Sequence, residues 1–211
     1  MKVVAINGSP KKEGNTYHAI QVVAEQLNKE NIEVEIIHIG NKVIRGCMGC
    51  GQCAKQKNEK CMYDNDEVNE CIQKLKIAEG MILGSPVFFS GITGTMKSFL
   101  DRAFYVAGSN GSLFRYKVGV SVIADRRAGA VAAFTQLNNY INYAEMFMPS
   151  SNYWNVSFGT LPGEVLKDDE GVQTMRILGK NTAWLMKSVE KSKMQEVIPD
   201  RENKIRFNYI R

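Results

Sequence analysis

Four of the chain's five cysteines fall within "GCMGCGQCAKQKNEKC", residues 46–61, spaced C-x2-C-x2-C-x7-C at Cys47, Cys50, Cys53 and Cys61. Thiolates at successive i+3 positions let one short turn of backbone cover three corners of an iron–sulfur cubane. The fourth ligand arrives from further on. Bacterial ferredoxins use the same C-x2-C-x2-C run, although their fourth cysteine serves another cluster and precedes a proline. Here Met62 follows Cys61 and no second set exists, so all four would close one 4Fe-4S cluster. Gly46, Gly49 and Gly51 relieve crowding and leave N–H groups for the sulfurs, a lever on potential. Zinc is the rival reading, though structural zinc sites usually come as two separated C-x2-C pairs. Disulfides rank third, because clustered cysteines in a chain with no sign of export favour a metal or redox role. Cys71 shares a helix face with Val68, Ile72 and Leu75 and reads as core.

A second chemical stretch is "GSPKKEGNT", residues 8–16, between an apolar run and a helical one. N–H groups at a helix N-terminus, with the helix dipole, suit a phosphate. Ser9, Asn15 and Thr16 add side-chain donors, Gly14 lets the backbone curl, and Lys11 lies in the same loop. The NTPase pattern G-x-x-x-x-G-K-[ST] fails, because Gly8 to Gly14 is one residue too long and Asn15 replaces the lysine. The dinucleotide pattern G-x-G-x-x-G is absent too. A loop rich in hydroxyl and amide donors suits a terminal monophosphate, as on FMN. The plainer alternative is a helix cap at Thr16 and a turn at Ser9-Pro10.

The elements around these stretches alternate. β-Branched or apolar runs at 2–7, 32–39, 80–86, 117–124 and 152–158 read as strands. Helical spacing is found over 16–30, 65–78, from Met96 through Phe99, Leu100 and Ala103, over 130–146 and over 171–191. This alternation predicts a doubly wound α/β fold with five parallel strands in the order 2-1-3-4-5 and a cysteine-rich loop after strand two. One domain over 1–193, including the loop at 45–62, is expected, followed by a tail over 194–211 without period. Ligands of such sheets bind beyond the carboxyl ends of the strands, so the loops after strands one, three and four are the candidates.

With "ILGSPVFFSGITGTMKSFLDR", "DRRAG" and "DDEGVQTMRILGKNTAWL" beside the two stretches above, the chain resembles the flavodoxin-like NAD(P)H-dependent FMN reductases. It is especially similar to their iron–sulfur flavoprotein branch. The resemblance implies FMN and a 4Fe-4S cluster as cofactors. It places Pro86, Val87, Phe88, Phe89 and Ser90 along the flavin ring with backbone N–H groups toward its heteroatoms, one of the two phenylalanines being core. Asp125, Arg126 and Arg127 map to the third flavin-contacting loop, where an arginine would stabilise charge on the reduced ring. The cysteine motif of that branch has the same shape and supports the cluster.

The implied activity is an oxidoreductase that takes electrons from a one-electron donor such as ferredoxin through the cluster to FMN and a two-electron, small-molecule acceptor. Two alternatives stand: an NAD(P)H-dependent reductase of flavin, quinone, azo or nitro compounds whose cysteines are structural or bind zinc, and a non-enzymatic electron carrier or redox sensor. Homodimers or homotetramers are usual in the family. No catalytic triad or carboxylate pair stands out, and a flavin enzyme needs none. His18 and His38 read as surface or packing residues, Lys97 and Asp101 as a local helix pair, and Trp154 and Trp184 as core or subunit interface. The chain has 211 residues, 44% of them apolar, and a net charge of +5. The scattered lysines argue against nucleic acid. No apolar run nears the roughly 18 residues of a membrane span. A cytoplasmic location follows as an expectation.

Overall fold

The computed structural model describes residues 1–195, 197–202, 205 and 207. Its strands are β1 (Lys2–Asn7), β2 (Glu33–His38), β3 (Gly80–Pro86), β4 (Val118–Asp125) and β5 (Val156–Phe158). Between and after them run α1 (Asn15–Lys29), α2 (Gln52–Gln56), α3 (Val68–Ile77), α4 (Gly94–Ser109), α5 (Ala130–Tyr143) and α6 (Asp169–Gln195), the last preceded by a 3-10 turn over Glu164–Lys167. All neighbouring strands pair in parallel and the order is β2-β1-β3-β4-β5. That is the flavodoxin-like winding, with its switch point between β1 and β3.

The two-residue period of the strands divides the core between the two faces. Val4 and Ile6 of β1, with Met81 and Leu83 of β3, pack toward α3, α4 and α5. Val3 and Ala5, with Ile82 and with Val118, Val120 and Val122 of β4, pack toward α1 and α6. Phe99 of α4 and Phe114 are fully buried, and truncating either to alanine costs about 3–5 kcal/mol. No helix among the described residues is long and apolar enough to cross a membrane.

Several boundaries differ from the sequence pattern, among them α5, which ends at Tyr143, not 146; three others carry a visible polar cause. β5 begins at Val156, not 152, because Asn155 turns its amide onto Ser121 O at 3.1 Å and accepts from Ser151 Oγ at 2.7 Å. Side-chain bonds of this kind compete with a ladder. α3 begins at Val68, with Asp66 Oδ1 accepting the Val68 N–H at 3.2 Å. α6 starts at Asp169, where Asp168 Oδ1 accepts the Gly171 N–H at 2.9 Å, and it runs on to Gln195.

Trp154 and Trp184 are half or more exposed and do not join the core. Of the expected tail, residues 196, 203, 204, 206 and 208–211 lie outside the described residues. Arg115 donates to the carbonyls of Pro199 and Asp200, at 3.3 and 3.4 Å.

Candidate flavin and cysteine sites

The loop after β1 is shaped by its own polar groups. Asn7 Oδ1 accepts the Ser9 N–H at 3.0 Å, Ser9 Oγ accepts the Lys11 N–H at 3.3 Å, and Lys11 O accepts the Gly14 N–H at 3.1 Å. His38 packs from β2, its Nε2 donating to Ser9 O at 2.7 Å, which makes it a support of this loop. α1 begins after Gly14 with no side-chain cap, and its first ladder bond runs from His18 N–H to Gly14 O at 3.2 Å. The N–H groups of Asn15, Thr16 and Tyr17 therefore have no partner in the ladder. Thr16 is buried and its hydroxyl has no partner among the described residues. An orphan hydroxyl beside open helix N–H groups has the donor chemistry of a phosphate cradle. Asn15 is partly engaged elsewhere, with its Oδ1 accepting the Val165 N–H at 3.4 Å. Lys11 is exposed and has no ion-pair partner among the described residues.

The loop after β3 is a tight reversal. Phe88 N–H donates to Gly91 O at 2.8 Å and Gly91 N–H to Phe88 O at 3.0 Å. Phe89 and Ser90 between them both take positive φ, 50° and 59°, the turn that asparagine and glycine usually fill. Pro86 has no N–H, and the Val87 N–H goes to Ala124 O at 3.2 Å. Of the five residues expected to face a flavin ring, only Phe89 and Ser90 keep an N–H without a partner in the described residues. Neither phenylalanine is core: Phe88 is half exposed and Phe89 fully so. The positive-φ turn lifts both rings off the sheet.

The loop after β4 abuts the previous one. Gly129 has a φ of 100°, and a Cβ there would stand 3.0 Å from Ser90 Cα. Asp125 is buried, and its Oδ1 accepts the Arg127 N–H at 3.2 Å while Oδ2 lacks a partner among the described residues. Arg126 and Arg127 are exposed, without ion pairs among the described residues.

The cysteine loop lies against α4. Gly49 and Gly51 take φ of 63° and 69°, so the residues between the first three cysteines turn left-handed, as glycine permits. Cys47 and Cys50 are exposed, Cys61 is intermediate and Cys53 is buried. Burial pushes the Cys53 thiol up, and Cys61, Cys47 and Cys50 lie near enough to add to that shift. Asn69 fixes the backbone of Cys61 from both sides, accepting its N–H at 2.8 Å and donating to its carbonyl at 3.0 Å. Among the described residues, no three Cys, His, Asp or Glu side chains converge on a single metal-ion position.

The sequence profile described as NADPH-dependent FMN reductase matches residues 1–160. The chain belongs to that family. As an FMN reductase family member it is an FMN-dependent oxidoreductase, and it falls in the iron–sulfur flavoprotein branch. It is 35% identical over 198 residues to an iron–sulfur flavoprotein of Methanocaldococcus jannaschii, covering 90% of this chain and 100% of that protein. An iron–sulfur flavoprotein of Archaeoglobus fulgidus is 32% identical over 179 residues, covering 83% of this chain and 86% of that one. The fold matches that of a flavodoxin from the domain Archaea, with a TM-score of 0.57 at 18% identity over 89% of this chain and 99% of the other.

Two residues of this FMN reductase family member escaped the sequence reading. Arg102 is fully buried in α4. Burial works against its charge, but Asp66 and Cys61 more than offset this and hold it protonated. The available signal was a lone arginine on the apolar stripe of Phe99, Ala103 and Val106. Thr93 caps α4, its Oγ1 accepting the Met96 N–H at 3.3 Å while donating to Gly8 O at 2.8 Å. Cys71 is core as expected, and burial pushes its thiol up to about 12. A cavity of about 470 Å³ opens beyond β4 and β5, lined by Asp125, Arg127, Tyr153, Trp154 and Phe158.

Proposed function

We propose that the chain is an iron–sulfur flavoprotein oxidoreductase, passing electrons from a one-electron donor such as ferredoxin through a 4Fe-4S cluster to FMN and on to a small two-electron acceptor. In this reading the N–H groups of Asn15, Thr16 and Tyr17, with the hydroxyls of Thr16 and Ser9, bind the FMN phosphate. Gly14 and Lys11 complete that loop. Phe89 and Ser90 offer N–H groups to the ring, Pro86, Val87 and Phe88 shape the turn that presents them, and Asp125 orders the loop carrying Arg126 and Arg127, whose charge meets the ring. Cys47, Cys50, Cys53 and Cys61 hold the metal centre. Bound FMN supplies one- and two-electron chemistry, and a cluster supplies single electrons.

The observation that carries the reading is the common footing of the two sites. α4 is capped by Thr93, which ties it to the β1 loop, and nine positions on presents Arg102 to the cysteine loop. The names of the relatives support iron and sulfide over zinc. The exposed Phe89, Tyr153 and Trp154 support assembly as a homodimer or homotetramer.

Anaerobically purified protein, assayed for iron, sulfide, zinc and flavin and then titrated with dithionite, tests the reading. It expects about three electron equivalents per FMN-bearing chain, since a flavin takes two and a cluster one; uptake of only two removes the cluster. The family description favours a second reading, direct reduction by NADPH. Rapid bleaching of the flavin by NADPH without a protein mediator, in protein holding zinc, would establish it instead.

A further inference from the structure

Every hydrogen bond shown for the Arg102 side chain ends on the cysteine loop or the residues just after it. Nε donates to Cys61 Sγ at 3.3 Å, Nη1 to Arg45 O at 3.3 Å, and Nη2 to Tyr63 O at 2.7 Å. Nη1 also forms an ion pair with Asp66, and both partners are buried. The guanidinium reaches from α4 into the closed end of the loop, joining its start at Arg45 to its end at Cys61 and Tyr63. A guanidinium suits this work, because its planar fork serves several acceptors at once where an ammonium is a point charge.

We infer that Arg102 is a positioning residue for the cysteine centre. It fixes the fourth ligand, Cys61, and its N–H and positive charge raise the reduction potential of the group the thiolates bind. The inference rests on the iron–sulfur reading above. One-electron reduction adds a negative charge to the centre and neither makes nor breaks a bond, so a donor and a cation beside a ligand sulfur favour the reduced state. Asp66 opposes this through its own charge while holding the guanidinium in place. The pair therefore makes an unusual forecast: removing its two members shifts the potential in opposite directions.

The experiment is a mediated redox titration of reconstituted protein, followed by absorbance, for wild type, Arg102→Gln, Arg102→Lys and Asp66→Asn. Arg102→Gln is expected to lower the potential, Asp66→Asn to raise it, and Arg102→Lys to fall between wild type and Arg102→Gln. Both charge removals also lower thermal stability, since each leaves a buried charge or polar group without its partner. If Arg102→Gln fails to fold, the double variant Arg102→Met with Asp66→Asn leaves no unpaired buried charge and is expected to titrate below wild type. Unshifted potentials, or shifts of one sign in the two single variants, would overturn the inference alone. Wild-type protein that takes up zinc and no sulfide overturns the iron–sulfur reading and the inference with it.

Discussion

Thr93 Oγ1 donates to Gly8 O at 2.8 Å across 85 residues of chain. This one hydroxyl both caps α4 and joins the loop after β1 to the loop after β3, so the candidate phosphate and ring sites are tied to each other. Replacing it by valine removes a helix cap, worth about 0.5–2 kcal/mol, and leaves the buried Gly8 carbonyl without a donor. Thr93→Val is expected to lower the melting temperature by several degrees, at about 2–4 °C per kcal/mol for this size. Calorimetry of the flavin-free protein reads the loss, and FMN titration should show weaker binding as well.

Thr16 predicts a divergence between two measurements. Its orphan hydroxyl is a burden without ligand and a donor with it. Thr16→Val should leave the flavin-free melting temperature unchanged or higher, because an unsatisfied buried group is removed. FMN affinity should drop by about tenfold or more, as charge-assisted bonds contribute about 1.5–3 kcal/mol. A parallel fall in both would show that the hydroxyl serves the fold instead.

Cys71 makes stability fall at alkaline pH. The unfolded chain loses this proton near 9, whereas burial keeps the folded thiol neutral up to about 12. Between those values the native state binds more protons than the unfolded one, so its stability declines as pH rises. Urea unfolding of wild type and Cys71→Ala from pH 8 to 10.5 should show the smaller alkaline decline in the variant. A thiol reagent added to metal-free native protein should spare Cys71 until denaturant is present.

Lys117 acts with the opposite sign. Burial, with Lys193 adding to it and Glu79 opposing, pulls its ammonium down to about 8, while the chain donates it to Lys76 O and Ala78 O. From pH 8 to about 10.5 the unfolded state holds more protons at this group, so its contribution to stability rises with pH. The stability of wild type minus that of Lys117→Met should therefore grow across that window. A difference that stays flat would show that the ammonium titrates at its ordinary value.

The elements were readable because they depend on near neighbours. Strand runs such as "KVVAIN" and the apolar spacing of α1 and α4 repeat within a few residues, and their alternation allows few windings. The glycines between the first cysteines were also legible, since the tight turns they form are local. β5 was overextended in the sequence reading because Asn155 finds a partner in β4, 34 residues away. The exposure of Phe88 and Phe89 was hidden by a turn whose positive φ values no glycine announces.

The amino-acid order alone determined the parallel sheet, the place of its candidate ligand loops and the identity of the four thiols. Folding decided which groups remain available in those loops: the open N–H groups of α1 and of Phe89 and Ser90, the bare hydroxyl of Thr16, and the guanidinium of Arg102 against Cys61, 41 residues away. Periodicity is written within a turn or two of chain. The partner of a polar atom is set by whatever packing brings beside it, at any distance along the sequence.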